Sequence, residues 1–370
     1  MTGLTAYKKA FDYLSEAQVF ALPRALKEQR LLPILNLLTD WHAQQSVEFQ
    51  RVVQGTPSYS RHMSRIDEVP ILAVRLFKLL QLRSVPSTQI YRTLQSSGTS
   101  SQVTAKVVLD KETSQRQSKV LVSILQSILG KKRLPMLIID APSTVSKTTS
   151  FGARAAGIQG LAFFGRSHVY ALNDDMSPNW EAIDEFCENH AHGPVLIFGF
   201  TFMVWQYFVN ELAKQQRSIS LEHGILLHSG GWKKLESAKV SNNVFKSRLH
   251  ELTGISKIHN FYGMAEQVGS VFVECSHGYL HAPNFADIVV RDPFTLQPTK
   301  NGEQGIIQVL SAIPTSYPGH SILTEDLGVL HGEDNCACGW QGKYFSVIGR
   351  LPRAEIRGCS DTHAQGTNND

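Results

Sequence analysis

Four short polar motifs contain residue types and spacings that could do chemistry on a phosphate ester. Small residues such as Gly98 allow backbone amides to approach phosphate oxygens, and neighbouring hydroxyls add donors. A carboxylate at Asp326 could accept both hydroxyls of a ribose, and one at Glu266 could bind magnesium. Each motif alone is also compatible with an ordinary loop or turn, and the Ser-rich motif that contains Gly98 lacks the ending of a Walker loop. The motifs are residues 96–101 with Lys106 beyond them, Tyr262-Gly263 followed by Glu266, 324–326, and Gly349-Arg350.

Cysteine and histidine form a second group of candidates. The cysteines are odd in number and irregular in spacing, which argues against a disulfide framework in so long a chain; they are Cys187, Cys275, Cys336, Cys338 and Cys359. Four soft ligands could hold a structural zinc, namely Cys275, His277, Cys336 and Cys338, although ordinary turn cysteines remain the alternative. The histidines on apolar segments are interpreted as core or pocket-lining residues: His168, His228, His259 and His281.

Strand and helix patterns alternate in the middle of the chain and would position these side chains. Apolar strands are predicted at 134–140, 194–199 and 223–231, and a helix is predicted from Thr201 to about Gln216. This alternation favours an α/β fold with a largely parallel sheet. Residues 277–311 are β-rich between turn residues, which predicts a small β subdomain.

The N-terminal part has a different pattern. Apolar residues recur at helical spacing from Thr5 to about Gln54, which predicts a helical region with breaks at Pro23 and Pro33. Residues 69–78 are compatible with a buried strand or with a short helix, and the pattern does not decide between them.

Composition bounds the class of protein. The chain has 370 residues, 42% hydrophobic and 18% charged, which is enough for a sizeable core. A net charge of +4, spread along the chain, gives little support for nucleic-acid binding. No run approaches the ~20 apolar residues of a membrane span, and the N-terminus lacks a signal-peptide layout. A cytoplasmic location is therefore the default expectation.

In their order and spacing, the four motifs resemble those of the adenylate-forming superfamily of acyl-CoA synthetases, peptide-synthetase adenylation domains and luciferases. The resemblance implies the adenylate-forming fold and the use of ATP and Mg²⁺, with Glu266 binding the metal. It implies that the Ser-rich loop holds the phosphates and that Asp326 holds the ribose. The residues implied to bind ATP are Ser96, Ser97, Gly98, Thr99, Ser100, Gly230, Gly231, Tyr262, Gly263, Asp326 and Arg350.

The match is closest to one branch, and it spans nearly the whole chain. The chain resembles acyl-protein synthetases, the fatty-acid-activating component of the bacterial bioluminescence fatty acid reductase complex. The shared motifs lie at 96–99, 228–234, 316–318, 324–328 and 357–360. In that family a cysteine in the tail accepts the acyl group, and the corresponding residue is Cys359. Arg357 and His363 lie close to it in sequence and would favour its thiolate.

The sequence departs from the larger adenylate-forming enzymes after the Gly-Arg motif. Those enzymes continue into a lid domain with a catalytic lysine, whereas this sequence ends twenty residues after Arg350, so the lid is expected to be missing. Another cation must then stabilise the charge between the carboxylate and the α-phosphate, and Lys233 and Lys106 are the candidates. The expected regions are a helical N-terminal region at 1–85, the adenylate-forming core at 86–350, and a tail with the acceptor cysteine at 351–370.

The resemblance predicts ATP-dependent activation of a carboxylic acid, expected to be a long-chain fatty acid. The acyl-AMP would pass its acyl group to the protein thiol for delivery to an acyl-CoA reductase-like partner. One alternative is an acyl- or aryl-CoA ligase of the phenylacetate-CoA ligase type, whose relatives carry a similar Cys-x-Cys-Gly. A second alternative, of another class, is a non-catalytic acyl-binding scaffold.

Overall fold

The computed structural model describes residues 2–55, 62–95, 104–146, 153–232 and 239–351. The helices are α1 Thr2–Glu16, α2 Arg24–Gln45, α3 Val47–Gln54, α4 Leu76–Leu79, α5 Lys111–Leu129, α6 Ser143–Ser146, α7 Ala153–Ala162, α8 Trp180–His190, α9 Thr201–Met203, α10 Asn210–Lys214 and α11 Asn242–Thr253. The strands are β1 Leu72–Ala73, β2 Arg92–Gln95, β3 Lys106–Leu109, β4 Leu134–Ile138, β5 Gly165–Tyr170, β6 Val195–Phe200, β7 Gly224–Ser229, β8 Lys257–Tyr262, β9 Phe272–Glu274, β10 Leu280–His281, β11 Ala286–Arg291, β12 Gln304–Ser311, β13 Ser321–Glu333 and β14 Lys343–Arg350.

Two compact units share the described residues. One contains the residues up to 95, 104–128 and 262–351, and the other contains 129–261. The regions expected from the sequence, 1–85, 86–350 and 351–370, stay a prediction, because compactness does not define where a functional region begins. Among the described residues, no helix combines the length and the apolar character needed to cross a membrane.

The unit formed by 129–261 is a parallel α/β sheet, as the alternating pattern predicted. Its strands are hydrogen-bonded in the order β5-β4-β6-β7-β8, and every neighbouring pair is parallel. Helical connections separate successive strands, and β4 and β6 are buried along their whole length. Continuous apolar runs form such strands because helices cover both faces of a parallel sheet. The helix predicted from Thr201 is α9, a π-helical turn at Val204–Val209, and α10.

The other unit is built on an antiparallel sheet, which confirms the β-rich pattern of 277–311. The strand order is β11-β12-β13-β14-β10-β9, and β1 adds to β13 in parallel. Strands β2 and β3 form a separate antiparallel pair. The register between β13 and β14 places Asp326 opposite Arg350. Two residues that are 24 positions apart in sequence therefore become neighbours on adjacent strands.

Helix α2 corrects one expectation, because it continues through Pro33 instead of breaking there. A proline inside a helix removes one backbone hydrogen bond and costs about 3 kcal/mol or more. Leu31, Ile34 and Leu35, on either side of it, are fully buried, and burying each such side chain stabilises by about 1.5–3 kcal/mol. Their combined burial exceeds the cost of the proline. The hydrophobic face therefore determines the length of this helix.

Candidate active site

The carboxylate of Asp326 is the point at which three predicted site residues meet. The hydroxyl of Tyr262 donates a hydrogen bond to Asp326 Oδ2 at 2.7 Å, and Arg350 Nε lies 3.3 Å from Oδ1. The Asp326 side chain is 15% exposed and that of Arg350 is 34% exposed. One carboxylate oxygen is thus held by a phenol and the other by a guanidinium. Each oxygen keeps acceptor capacity for a further hydroxyl.

Burial raises the pKa of Tyr262 well above its usual value, and the negative charge of Asp326 raises it further. The phenol therefore stays protonated and remains a donor to the carboxylate. The backbone of Asp326 is fixed as well, because its amide donates to Thr324 Oγ1 at 3.1 Å, and that hydroxyl donates to the carbonyl of Ile307 at 2.7 Å. The Thr-x-Asp motif thus orients the carboxylate through its own threonine.

Glu266 lies on a short 3-10 turn, Ala265–Gln267, directly after the Tyr-Gly motif, and only 3% of it is exposed. The neighbouring Gln267 fixes this turn, since its side-chain amide donates to the carbonyls of Val309 and Gly319, both at 3.0 Å. Gly263, in contrast, is exposed. The assignment of Glu266 as the magnesium ligand stays a prediction.

Tyr317 also belongs to this neighbourhood, although no role was predicted for it from the sequence. Its hydroxyl accepts a hydrogen bond from the amide of Val268 at 3.2 Å, immediately after the turn that carries Glu266. Burial, and to a smaller extent the charge of Glu266, raises the pKa of the phenol. The signal was present in the shared motif at 316–318, but a motif shared with a family does not reveal which turn it supports.

In the parallel unit, Gly230 and Gly231 follow the carboxyl end of β7. Gly230 has a φ of +86°, and a Cβ there would lie 3.2 Å from the ring of Phe200, which ends β6. Glycine therefore allows the chain to turn closely over a neighbouring strand end. The carboxyl edge of a parallel sheet is where α/β proteins bind ligands.

Some of the predicted site residues lie outside the described residues or next to the ends of the described segments. Lys106 is the exposed first residue of β3, and it pairs with Gln95 of β2. These two strands flank the Ser-rich loop in sequence. The loop itself, with Lys233 and Cys359, lies outside the described residues, so the roles of Ser96, Ser97, Gly98, Thr99, Ser100, Lys233 and Cys359 stay predictions.

The cysteines gather as expected, but with a different histidine. Ligand atoms of Cys275, Cys336, Cys338 and His281 all lie within 4.8 Å of one another. His277, the histidine predicted for this group, does not belong to it: His277 lies at the exposed turn between β9 and β10, whereas His281 ends the returning strand and is buried. The predicted zinc ligands stay a prediction. Burial and the neighbouring sulfurs raise the pKa of the Cys338 thiol to about 12.

The fold is similar to that of 2-hydroxyisobutyryl-CoA ligase. An open conformation of that enzyme, in complex with 2-HIB-AMP and CoA, superposes with a TM-score of 0.66 at 15% identity, over 90% of this chain and 76% of the other. The postadenylation state in complex with 2-HIB-AMP gives 0.67 at 15% identity, over 90% and 69%. The α/β architecture is thus that of an adenylate-forming ligase, and the fold class predicted from the sequence is confirmed.

Comparison of the sequence with known protein families shows the family to which the chain belongs. Residues 4–367 match the family described as "Acyl-protein synthetase, LuxE", and the chain belongs to this family. It is 22% identical over 322 residues to the "Long-chain-fatty-acid--luciferin-component ligase" of Aliivibrio fischeri, which covers 81% of this chain and 79% of that protein. The protein of the same name from Vibrio harveyi is 24% identical over 143 residues, 38% of this chain and 36% of that protein. The resemblance seen in the motifs is therefore confirmed.

Proposed function

We propose that the protein uses ATP and Mg²⁺ to convert a long-chain fatty acid to acyl-AMP and then transfers the acyl group to its own Cys359. A reductase-like partner would take the acyl group from that thioester. Membership of the acyl-protein synthetase family supports the acyl chemistry, and the names of both relatives support the fatty acid. The observation that carries the nucleotide part is the Asp326 carboxylate held between Tyr262 and Arg350.

In the first step, an oxygen of the fatty acid carboxylate attacks the α-phosphorus of ATP, and the bond to the β-phosphate oxygen breaks. Acyl-AMP and pyrophosphate result. Asp326 accepts the ribose hydroxyls and so fixes the nucleoside, while Arg350 contributes positive charge beside it. Glu266 would hold Mg²⁺, which would supply further charge neutralisation at the phosphates.

The attack brings a negatively charged carboxylate toward a negatively charged phosphate. It therefore also needs a cation beside the two groups that stabilises the charge between them. We assign this role to Lys233, with Lys106 as the second candidate. The loop at 96–100 is assigned the contacts to the phosphates. A lysine beside the carboxylate and the phosphate stabilises charge that is concentrated in the transition state more than charge in the ground state. That difference is what accelerates the reaction.

In the second step, the Cys359 thiolate attacks the acyl carbonyl carbon, and AMP leaves as the carbon–oxygen bond of the mixed anhydride breaks. The product is a thioester on the protein and free AMP. A thiolate is a strong nucleophile at a carbonyl carbon, which is why cysteine suits an acyl carrier that must later release its cargo.

Intact-protein mass spectrometry tests this proposal directly. The protein is incubated with ATP, Mg²⁺ and acetate, phenylacetate or myristate. We expect an acyl adduct from myristate, its loss in Cys359→Ser, and its retention in the matched control Cys187→Ser. Acid-dependent exchange of pyrophosphate into ATP should persist in Cys359→Ser, because that variant loses only the second step.

Two other outcomes would replace the proposal. Exchange without an adduct, together with acyl-CoA formation once coenzyme A is added, would make the protein a CoA ligase. No exchange with any of the acids would leave a non-catalytic acyl-binding scaffold.

A further inference from the structure

We propose that Cys275, His281, Cys336 and Cys338 bind one structural zinc ion. Cys275 Sγ lies 3.9 Å from Cys336 Sγ, and Cys338 Sγ lies 3.5 Å from His281 Nε2. Around a tetrahedral zinc with Zn–S near 2.3 Å and Zn–N near 2.05 Å, two sulfurs are about 3.8 Å apart and a sulfur and a nitrogen about 3.6 Å apart. The two observed separations thus match two edges of such a tetrahedron.

Two turns of the same form present the ligands. In each, a cysteine is followed three residues later by a glycine whose amide donates to the cysteine carbonyl: Gly278 to Cys275 at 3.1 Å, and Gly339 to Cys336 at 3.0 Å. Both glycines have a left-handed backbone, with φ of +85° and +83°. The same local geometry therefore occurs twice, in segments about sixty residues apart, and it brings the three cysteines to one place.

The surroundings of the sulfurs suit thiolates bound to a metal. The amide of His277 donates to Cys275 Sγ at 3.4 Å, and the amide of Trp340 donates to Cys338 Sγ at 3.3 Å. Such N–H donors stabilise the negative charge of a ligating sulfur and orient it. Aromatic side chains surround the group, and Tyr344 stacks on the ring of His281. An apolar shell of this kind limits the access of water.

Four protein ligands fill a tetrahedral zinc and leave no open position for a substrate, so the site is structural. The ligands lie on two hairpins: Cys275 and His281 flank the turn between β9 and β10, and the other two cysteines lie between β13 and β14. Strand β14 then runs for eight residues, from Lys343 to Arg350, and the distance between its two ends is about 23 Å at the usual rise. The metal would therefore stabilise the strand that carries Arg350 without touching the nucleotide.

The loop between β13 and β14, which contains Cys336 and Cys338, also contacts the N-terminal segment. Phe20, between α1 and α2, stacks on Trp340 with ring centroids 4.1 Å apart, and the amide of Gln341 donates to the carbonyl of Phe20 at 2.8 Å. A zinc ion that fixes the loop would thus also anchor the chain between the first two helices.

Metal analysis of the purified full-length protein, prepared with zinc and reducing agent, tests the proposal. We expect one zinc per chain, and X-ray absorption should report three sulfurs and one nitrogen. Zinc content should fall at least tenfold in His281→Ala, which leaves an incomplete shell, and remain at one in the matched control His277→Ala. Because zinc binding by such sites contributes to folding, a chelator should lower the Tm of the wild type and of His277→Ala alike.

A measurement on the wild type keeps the proposal testable if His281→Ala does not fold. An organomercurial titrated into the native protein should release one zinc, detected with a metallochromic dye, as the thiols react. Wild-type protein with reduced thiols but no zinc would overturn the proposal, and so would a Cys275–Cys336 disulfide found in its place. Loss of zinc from His277→Ala but not from His281→Ala would overturn the ligand set.

Discussion

At the scale of single residues, the candidate site depends on hydrogen bonds between residues that are far apart in sequence. Tyr262 and Asp326 are 64 positions apart, yet one donates to the other at 2.7 Å. The order of the motifs assigned Tyr262 and Asp326 to one nucleotide site, and that assignment stays a prediction. That order could not predict that Tyr262, expected to line a pocket, also fixes the orientation of the carboxylate, because a motif carries no information about the partner of a hydroxyl.

Tyr262→Phe should weaken the use of ATP while leaving the fold intact. The change removes the donor to Asp326 Oδ2, and a hydrogen bond to a charged group contributes about 1.5–3 kcal/mol, so we expect the KM for ATP to rise about tenfold or more. The measurement is acid-dependent exchange of pyrophosphate into ATP at varied ATP. Tyr91→Phe, at a residue that is 61% exposed, is the control. An unchanged KM in Tyr262→Phe would contradict the positioning role.

The choice between His277 and His281 shows what spacing alone leaves open. His277 follows Cys275 by two residues and resembles a ligand pair, whereas His281 follows it by six. The hairpin decides, since His281 pairs with Val273 in register and faces the same interior as the sulfurs. Only the position of the turn reveals this, and turn positions within a β-rich stretch are weakly specified by sequence.

At the scale of elements, β4, β6 and β7 were predictable because each is an apolar run that lies between helices in the sequence. Strands β5 and β8 contain several polar residues and show no such run. Residues 69–78 were not predictable, because they form a two-residue strand, β1, and a four-residue helix, α4. Neither is long enough to show a period. The prediction of a break at Pro33 was wrong for a different reason. Local propensity favours a break there, but the burial of the apolar face of α2 contributes more free energy than the proline costs.

The segment between β12 and β13 offers a test of how an element supports the site. A Cβ at Gly319 would overlap the ring of the fully buried Tyr317, whose hydroxyl accepts a hydrogen bond from the amide of Val268 beside the Glu266 turn. Gly319→Ala must therefore displace that ring, and overpacking of this kind typically costs about 1–3 kcal/mol. We expect this loss of unfolding free energy in urea titrations.

The matched control is Gly160→Ala in α7, where a Cβ would meet nothing within 4 Å. Alanine is the better helix former there, so this variant should gain up to about 1 kcal/mol. Equal stability of the two variants would show that the segment around Tyr317 adapts to the added methyl group.

At the scale of the whole molecule, the alternation of strands and helices predicted an α/β fold with a largely parallel sheet, and the resemblance carried by the shared motifs implied the adenylate-forming architecture. The sequence did not reveal which residues make up each compact unit. Residues up to 95 belong to the same unit as 262–351, although 129–261 lie between them in sequence. The hydroxyl of Tyr7, for example, donates to the carbonyl of Ala312 at 2.6 Å, 305 positions away. Pairings over such separations leave no local pattern in a single sequence.

Two buried histidines from distant parts of this unit should make the molecule sensitive to acid. His42 and His320 stack with ring centroids 5.0 Å apart, and their ring nitrogens contact Ser84 Oγ and Thr39 Oγ1 at 2.7 and 2.9 Å. Burial lowers the pKa of His320 to about 3 and, together with the charge of His320, holds that of His42 well below its usual value. Both rings are therefore neutral in the folded protein at pH 5.5, whereas in the unfolded chain they take up protons below about pH 6.5.

At these two rings the unfolded state then binds more protons than the folded state, so their contribution to stability is fully present above about pH 6.5 and is lost as the pH drops toward 3. Between pH 7.5 and 5.5 each histidine should remove about 1.4 kcal/mol from the unfolding free energy, and the pair about 2.7 kcal/mol. Urea titrations at the two pH values measure this difference. His320→Asn should lose about 1.4 kcal/mol of this difference whatever its own stability, while His223→Gln, at an exposed residue, should keep all of it. An identical pH dependence in His320→Asn and the wild type would show that the buried pair does not control the response to acid.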